Sequence, residues 1–140
     1  MTSRTNRLRL GRSGLKISKV ILGAMSYSDP TQGNPWSLPE EEALPLLHHA
    51  FKRGINTWDT ADVYGQGTSE LIIGKAIREY QIPRSQLVLL TKCFFGIDPE
   101  IVKSGRQDVV MSMTNDGHMV NRVGLSRKHI FDAVEASVAR

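Results

Sequence analysis

The chain has 140 residues, 40% of them hydrophobic and 23% charged, with a formal net charge of +4. That length supports one globular domain or part of one, and no run approaches the ~20 apolar residues of a membrane span. The basic stretch from Met1 to Gly14 never develops the apolar core of a secretory signal, so cytoplasmic residence is the expectation. A single cysteine, Cys93, excludes an internal disulfide and a cysteine-based zinc cluster. Basic residues are scattered among acidic ones such as Glu40, Glu41, Glu42 and Glu79, which predicts no nucleic-acid partner.

Leu8 and Leu10, then Leu15 and Ile17, alternate with polar residues about Gly11-Arg12-Ser13-Gly14, the pattern of a short hairpin. Val20-Ile21-Leu22-Gly23 is a continuous apolar run, which predicts a strand buried on both faces as in a parallel sheet. Ser37-Leu38-Pro39-Glu40 has the spacing of a capping box with proline inside the first turn of a helix. Ala43, Leu46, Leu47, Ala50 and Phe51 recur at helical spacing, with Pro45 expected to delay or kink the helix and Gly54 to end it. Ile55 to Asp59 reads as a second short strand.

A second helix follows Gly65 and Gly67, with Thr68 or Ser69 as its cap and Ile73, Ala76, Ile77 and Tyr80 on its apolar face. Ile82-Pro83-Arg84-Ser85 breaks it, and Leu87 to Lys92 is a third strand ending in a charge. From Cys93 to Leu125 periodicity is lost, as in connections that are functional or mobile. Ser126 then caps a third helix with Ile130, Val134 and Val138 on its apolar side. Alternating strands and helices are the signature of an α/β fold with a parallel sheet.

Asp59, Tyr64 and Lys92 all fall at or just beyond strand ends, on the rim where α/β folds bind ligands and TIM barrels catalyse. A carbonyl that receives hydride develops negative charge on oxygen and needs a proton donor within hydrogen-bond reach. A tyrosine serves if a neighbouring ammonium favours its phenolate. Lys92 offers that charge, and a carboxylate such as Asp59 holds the lysine charged and aimed. Taken singly, each has an ordinary explanation as a turn former, a half-buried loop residue or a solvated strand end.

The residues around them carry a resemblance. Gly54-Ile55-Asn56-Thr57-Trp58-Asp59-Thr60-Ala61-Asp62-Val63-Tyr64-Gly65, continuing through Ser69-Glu70 to Ile73-Gly74, resembles the principal signature of the aldo-keto reductase family. Gly14-Leu15-Lys16-Ile17-Ser18 and Leu22-Gly23-Ala24-Met25 are similar to that family's first hairpin and strand, and Leu90-Thr91-Lys92 to its third strand. Gly124-Leu125-Ser126-Arg127-Lys128-His129-Ile130 resembles the helix start of the aryl-alcohol dehydrogenase-like branch.

The resemblance implies a partial (β/α)8 TIM barrel: an N-terminal hairpin plus about three βα units, occupying 1–140 and stopping before the fourth strand. It implies an NADPH/NADP+-dependent oxidoreductase of small carbonyl or alcohol substrates that reduces aldehydes or ketones, aryl aldehyde to aryl alcohol, with Tyr64 as general acid, Lys92 as its charge partner and Asp59 as the lysine's anchor. It also implies that this chain is a truncated form with impaired or no activity alone. Gly23, Ala24 and Met25, with Asp59, match cofactor-binding positions, and no metal is implied. Gly65-Gln66-Gly67 lacks the third glycine of a phosphate cradle and reads as a turn.

A family histidine at the end of the fourth strand, and most groups that grip the cofactor's phosphates, have no counterpart here. His48, His49, His118 and His129 fall in helices or the long connection and do not replace that histidine. A closed barrel takes about 250 residues, so open sheet edges and self-association are expected of this chain. A non-catalytic interaction protein is the alternative reading, as is a regulatory subunit like the potassium-channel β subunits, which share the fold. Tyr27, Trp36 and Trp58 are candidates for an aromatic pocket, though packing is the commoner role of such residues.

Overall fold

In a computed structural model of the chain, residues 7–32, 35–98 and 115–140 are described. An antiparallel hairpin, β1 (Arg7–Arg9) with β2 (Lys16–Ser18), precedes a three-stranded parallel sheet of β3 (Leu22–Gly23), β4 (Thr57–Asp59) and β5 (Val88–Leu90), in the order β3-β4-β5. Helix α1 (Glu40–Lys52) connects β3 to β4, α2 (Thr68–Glu79) connects β4 to β5, and α3 (Arg127–Ala139) follows β5. This is the expected α/β order of a hairpin and βα units. The long connection from Cys93 to Leu125 lies partly outside the described residues; its described part includes a single 3-10 turn at Gly117–Met119.

Parallel strands need crossover helices, and a helix is held by burying one stripe on the sheet. Ala43, Leu44 and Leu47 of α1, and Ile72, Ile73 and Ala76 of α2, enclose Trp58 of β4, which is completely buried, together with Ala24, Tyr27, Ile82 and Leu87. The helices also meet each other: Lys75 pairs with Glu40, and the His48 ring stacks on Tyr80 with centroids 4.0 Å apart. The hairpin is fixed to the foot of the sheet by reciprocal bonds, Ser18 N–H to Thr57 Oγ1 at 3.1 Å and Thr57 N–H to Ser18 Oγ at 3.2 Å. No described helix is long and apolar enough to cross a membrane.

Several local expectations are corrected. Val20 and Ile21 are exposed and Leu22 half-buried, because β3 pairs only with β4 among the described residues and its outer edge is open. The capping box does not form: Pro39 occupies the N-cap without a side-chain bond, and Ser37 turns inward, where its hydroxyl is buried without a partner. Pro45 neither delays nor breaks α1. It and Glu41, the residue whose carbonyl it cannot bond, both lie on the exposed side of the helix, where the missing bond costs least. Leu46 faces solvent and Leu44 takes its place in the core. Helix α2 starts at Thr68 after Gly67, and neither Thr68 nor Ser69 caps it.

Ser126 does cap α3, accepting from the His129 N–H at 3.1 Å. The buried residues of α3 are His129 and Ala133, however, while Ile130, Val134 and Val138 are exposed. Of the aromatic-pocket candidates, Trp58 and Tyr27 are core residues and Trp36 is exposed. Trp58 Nε1–H donates to the Ile55 carbonyl at 2.9 Å, so its polar edge is satisfied within the core.

Candidate active site

The sheet register aligns the strand ends. Gly23 lies opposite Asp59, and Asp59 opposite Leu90, so residues just beyond these positions share one rim. The ladder continues past the strands: Ala24 N–H donates to the Asp59 carbonyl at 2.8 Å, Thr60 N–H to Leu90 at 2.8 Å, and Asp62 N–H to Lys92 at 3.2 Å. Lys92 is thereby carried beyond β5 to the level of the loop that follows β4.

There Lys92 Nζ donates to Asp59 Oδ1 at 2.6 Å and to the Thr60 carbonyl at 2.7 Å. It also lies 4.9 Å from the centroid of the Tyr64 ring. The three predicted residues are therefore brought together. Burial opposes the Lys92 charge, but hydrogen bonds to Asp59 and Tyr64 and the field of both outweigh it, leaving the ammonium pKa above the usual 10.5. The site is open, with the lysine side chain about half exposed.

Tyr64 begins the turn Tyr64–Gly67, in which Gly65 (φ 57°), Gln66 (φ 53°) and Gly67 (φ 95°) are all left-handed. Glycine adopts this backbone at little cost, whereas Gln66 carries the strain. Gly65-Gln66-Gly67 is a turn feeding α2, as its sequence suggested. At the end of β3, Gly23 and Met25 are exposed, and a Cβ added at Gly23 would meet no atom within 4 Å. Ala24 is fully buried, with its N–H on Asp59 and its carbonyl accepting from Ser69 Oγ at 2.8 Å.

A second layer of polar residues escaped the sequence reading. Ser69 Oγ is 2.9 Å from Thr60 Oγ1 as well as bonded to Ala24, so the first turn of α2 ties the ends of β3 and β4 together. The next residue, Glu70, accepts from Thr91 Oγ1 at 2.6 Å and from Arg140 Nε at 2.7 Å. Buried Asp62 has its pKa pushed up to about 6, chiefly by desolvation. Ser and Glu adjacent in a helix's first turn, where a cap was expected, were the available signal. Two clefts flank α3, of about 1020 and 460 Å³, and neither is lined by Tyr64 or Lys92. No metal-binding group of histidine, cysteine or carboxylate side chains occurs among the described residues.

The aldo/keto reductase family model matches residues 19–140. The chain is 56% identical over 137 residues to versiconal hemiacetal acetate reductase of Aspergillus parasiticus, covering 94% of this chain and 38% of that protein. It is 46% identical over 134 residues to a Schizosaccharomyces pombe protein assigned by name to the aryl-alcohol dehydrogenases, again with 94% and 38% covered. The holo form of an aldo-keto reductase from Bacillus halodurans is similar with a TM-score of 0.54 and 31% identity, over 67% of this chain and 28% of that one. The chain thus spans about 38% of the length of the curated relatives it matches. With its parallel sheet and the aligned ends of β3, β4 and β5, the chain belongs to the aldo/keto reductase family.

Proposed function

We propose that this rim is the proton-transfer half of a carbonyl reductase site, in which Tyr64 is the general acid, Lys92 its charge partner and Asp59 the anchor of Lys92. The observation that carries this reading is the Lys92 ammonium, bonded to Asp59 Oδ1 at 2.6 Å and 4.9 Å from the Tyr64 ring centroid. Exposed Gly23 and Met25, beside Asp59, would lie against the nicotinamide ring, with buried Ala24 as the spacer between them; the open space around Gly23 supports this reading. When bound, NADPH supplies a hydride and leaves as NADP+.

The carbonyl carbon of the substrate gains a C–H bond as its π bond opens, and the oxygen takes the proton of the Tyr64 hydroxyl. Lys92 stabilises the phenolate that remains, and a solvent proton restores the hydroxyl. Aryl aldehydes are the proposed substrate class, a reading supported by the name of the 46% identical relative. Among the described residues the outer edges of β3 and β5 have no partner strand, which supports a second reading, in which the chain pairs with itself or with a partner chain.

The test is NADPH binding by fluorescence and its oxidation in the presence of an aromatic aldehyde, with sedimentation of the same samples. Turnover should fall about 10²- to 10⁴-fold in Tyr64→Phe while cofactor binding is kept. Turnover unchanged by that substitution would overturn the role of Tyr64. A wild-type chain that neither binds NADPH nor reduces aldehyde, but sediments as a defined oligomer, would favour the second reading.

A further inference from the structure

We propose that Glu70 is a positioning residue for Lys92, acting through Thr91 to fix the end of β5 and itself held in place by Arg140. This rests on the reading of Lys92 given above. Two residues past Lys92 the chain is held again, Gly124 N–H donating to the Phe94 carbonyl at 2.7 Å, and the Thr91 hydroxyl anchors the intervening segment from the side of α2. On the side of β4 the Asp62 N–H accounts for the Lys92 carbonyl, at 3.2 Å. Successive side chains of an extended segment point to opposite faces. A tether on Thr91 therefore sets the rotation of the segment, and with it the direction in which Lys92 projects.

Glu70 is built for such a tether. Its carboxylate is 5% exposed, and each oxygen has one partner: Oε1 accepts from Thr91 and Oε2 from Arg140. Burying a carboxylate is costly unless charge and hydrogen bonds offset the loss of water. Here Arg140 supplies the charge, and the first turn of α2 supplies the favourable end of a helix dipole. The Arg140 bond joins α2 to α3, which is sufficient for a purely structural ion pair. The Thr91 bond adds nothing to that helix contact; it spends the second oxygen on the residue next to Lys92. Ser69, one position earlier, ties the ends of β3 and β4. The first turn of α2 thus gathers all three strand ends that form the rim.

The two roles separate in one experiment on the 140-residue chain. Thr91→Val cuts the strand tether and leaves the Glu70–Arg140 pair, while Thr91→Ser keeps the hydroxyl; Thr91→Ala replaces the valine variant if that one folds poorly. The titration of Lys92 is followed by NMR of carbon-labelled lysine, its signal assigned by loss in Lys92→Arg, beside aldehyde turnover across pH. Without the hydroxyl, the Lys92 titration should move down toward the ordinary lysine value, with far-UV circular dichroism unchanged. Turnover should drop about tenfold or more, with KM little altered, and Thr91→Ser should restore both readouts.

A Lys92 titration identical in wild type, Thr91→Val and Thr91→Ala would overturn the proposal and leave Glu70 as a link between helices. A titration that moves in a chain lacking aldehyde turnover in every form would uphold the positioning of Lys92 and remove the catalytic reading instead.

Discussion

Helices α1 and α2 press their apolar residues onto the sheet, whereas α3 turns Ile130, Val134 and Val138 to solvent and buries His129 and Ala133. All three carry an apolar stripe at helical spacing. The first two have strands β3, β4 and β5 beneath them. Helix α3 follows the last described strand of the sheet, and Val134 and Val138 of its stripe border a groove of about 460 Å³ shared with Ile73, Ile77 and Leu89. An amphipathic pattern therefore records that a helix has a surface to cover, without saying that these residues supply the cover.

The largest effect that would break this comparison lies in α1. Leu44→Ala should cost about 2–5 kcal/mol in urea unfolding, and Leu46→Ala no more than about 0.5 kcal/mol, despite identical chemistry two residues apart. Equal losses would mean that α1 is rotated from the arrangement described. A smaller effect tests whether α3 is docked at all. Gly74 lies inside α2, where alanine ordinarily gains about 1 kcal/mol, but a Cβ there would run into the Arg140 carbonyl. With α3 in place, Gly74→Ala should instead destabilise by about 1–3 kcal/mol and speed amide exchange along α3. A raised melting temperature would show α3 detached. Least of all, Val138→Ser should change stability by under about 0.5 kcal/mol, since Val138 is 82% exposed.

What could be read from the sequence follows the range of the interactions concerned. Asp59, Tyr64 and Lys92 were legible because strand ends in a parallel sheet share a rim, so that position along the chain already implied proximity. The Ser126 cap was legible because its partner is three residues away. The tether of Glu70 was not, since Thr91 is 21 positions distant and Arg140 is 70. The capping box at Ser37 failed for a different reason. A serine hydroxyl can bond a helix only if the chain leaves it pointing there, and here the pairing of Tyr27 with Leu38 accompanies a Ser37 hydroxyl that is turned inward and buried. Leu44 and Leu46 were exchanged because Leu47 is buried beside either choice, and the facing residues of α2 and Trp58 select between them.

The fully enclosed indole of Trp58 also gives the protein an internal optical probe. Of its two tryptophans, Trp58 is shut off from water and Trp36 is 52% exposed. Emission should therefore divide into a blue component closed to acrylamide and a red one open to it. Trp58 immediately precedes Asp59 on β4, so the blue component reports on the strand that carries the lysine's anchor. Its shift on titration or ligand addition can be followed without a label.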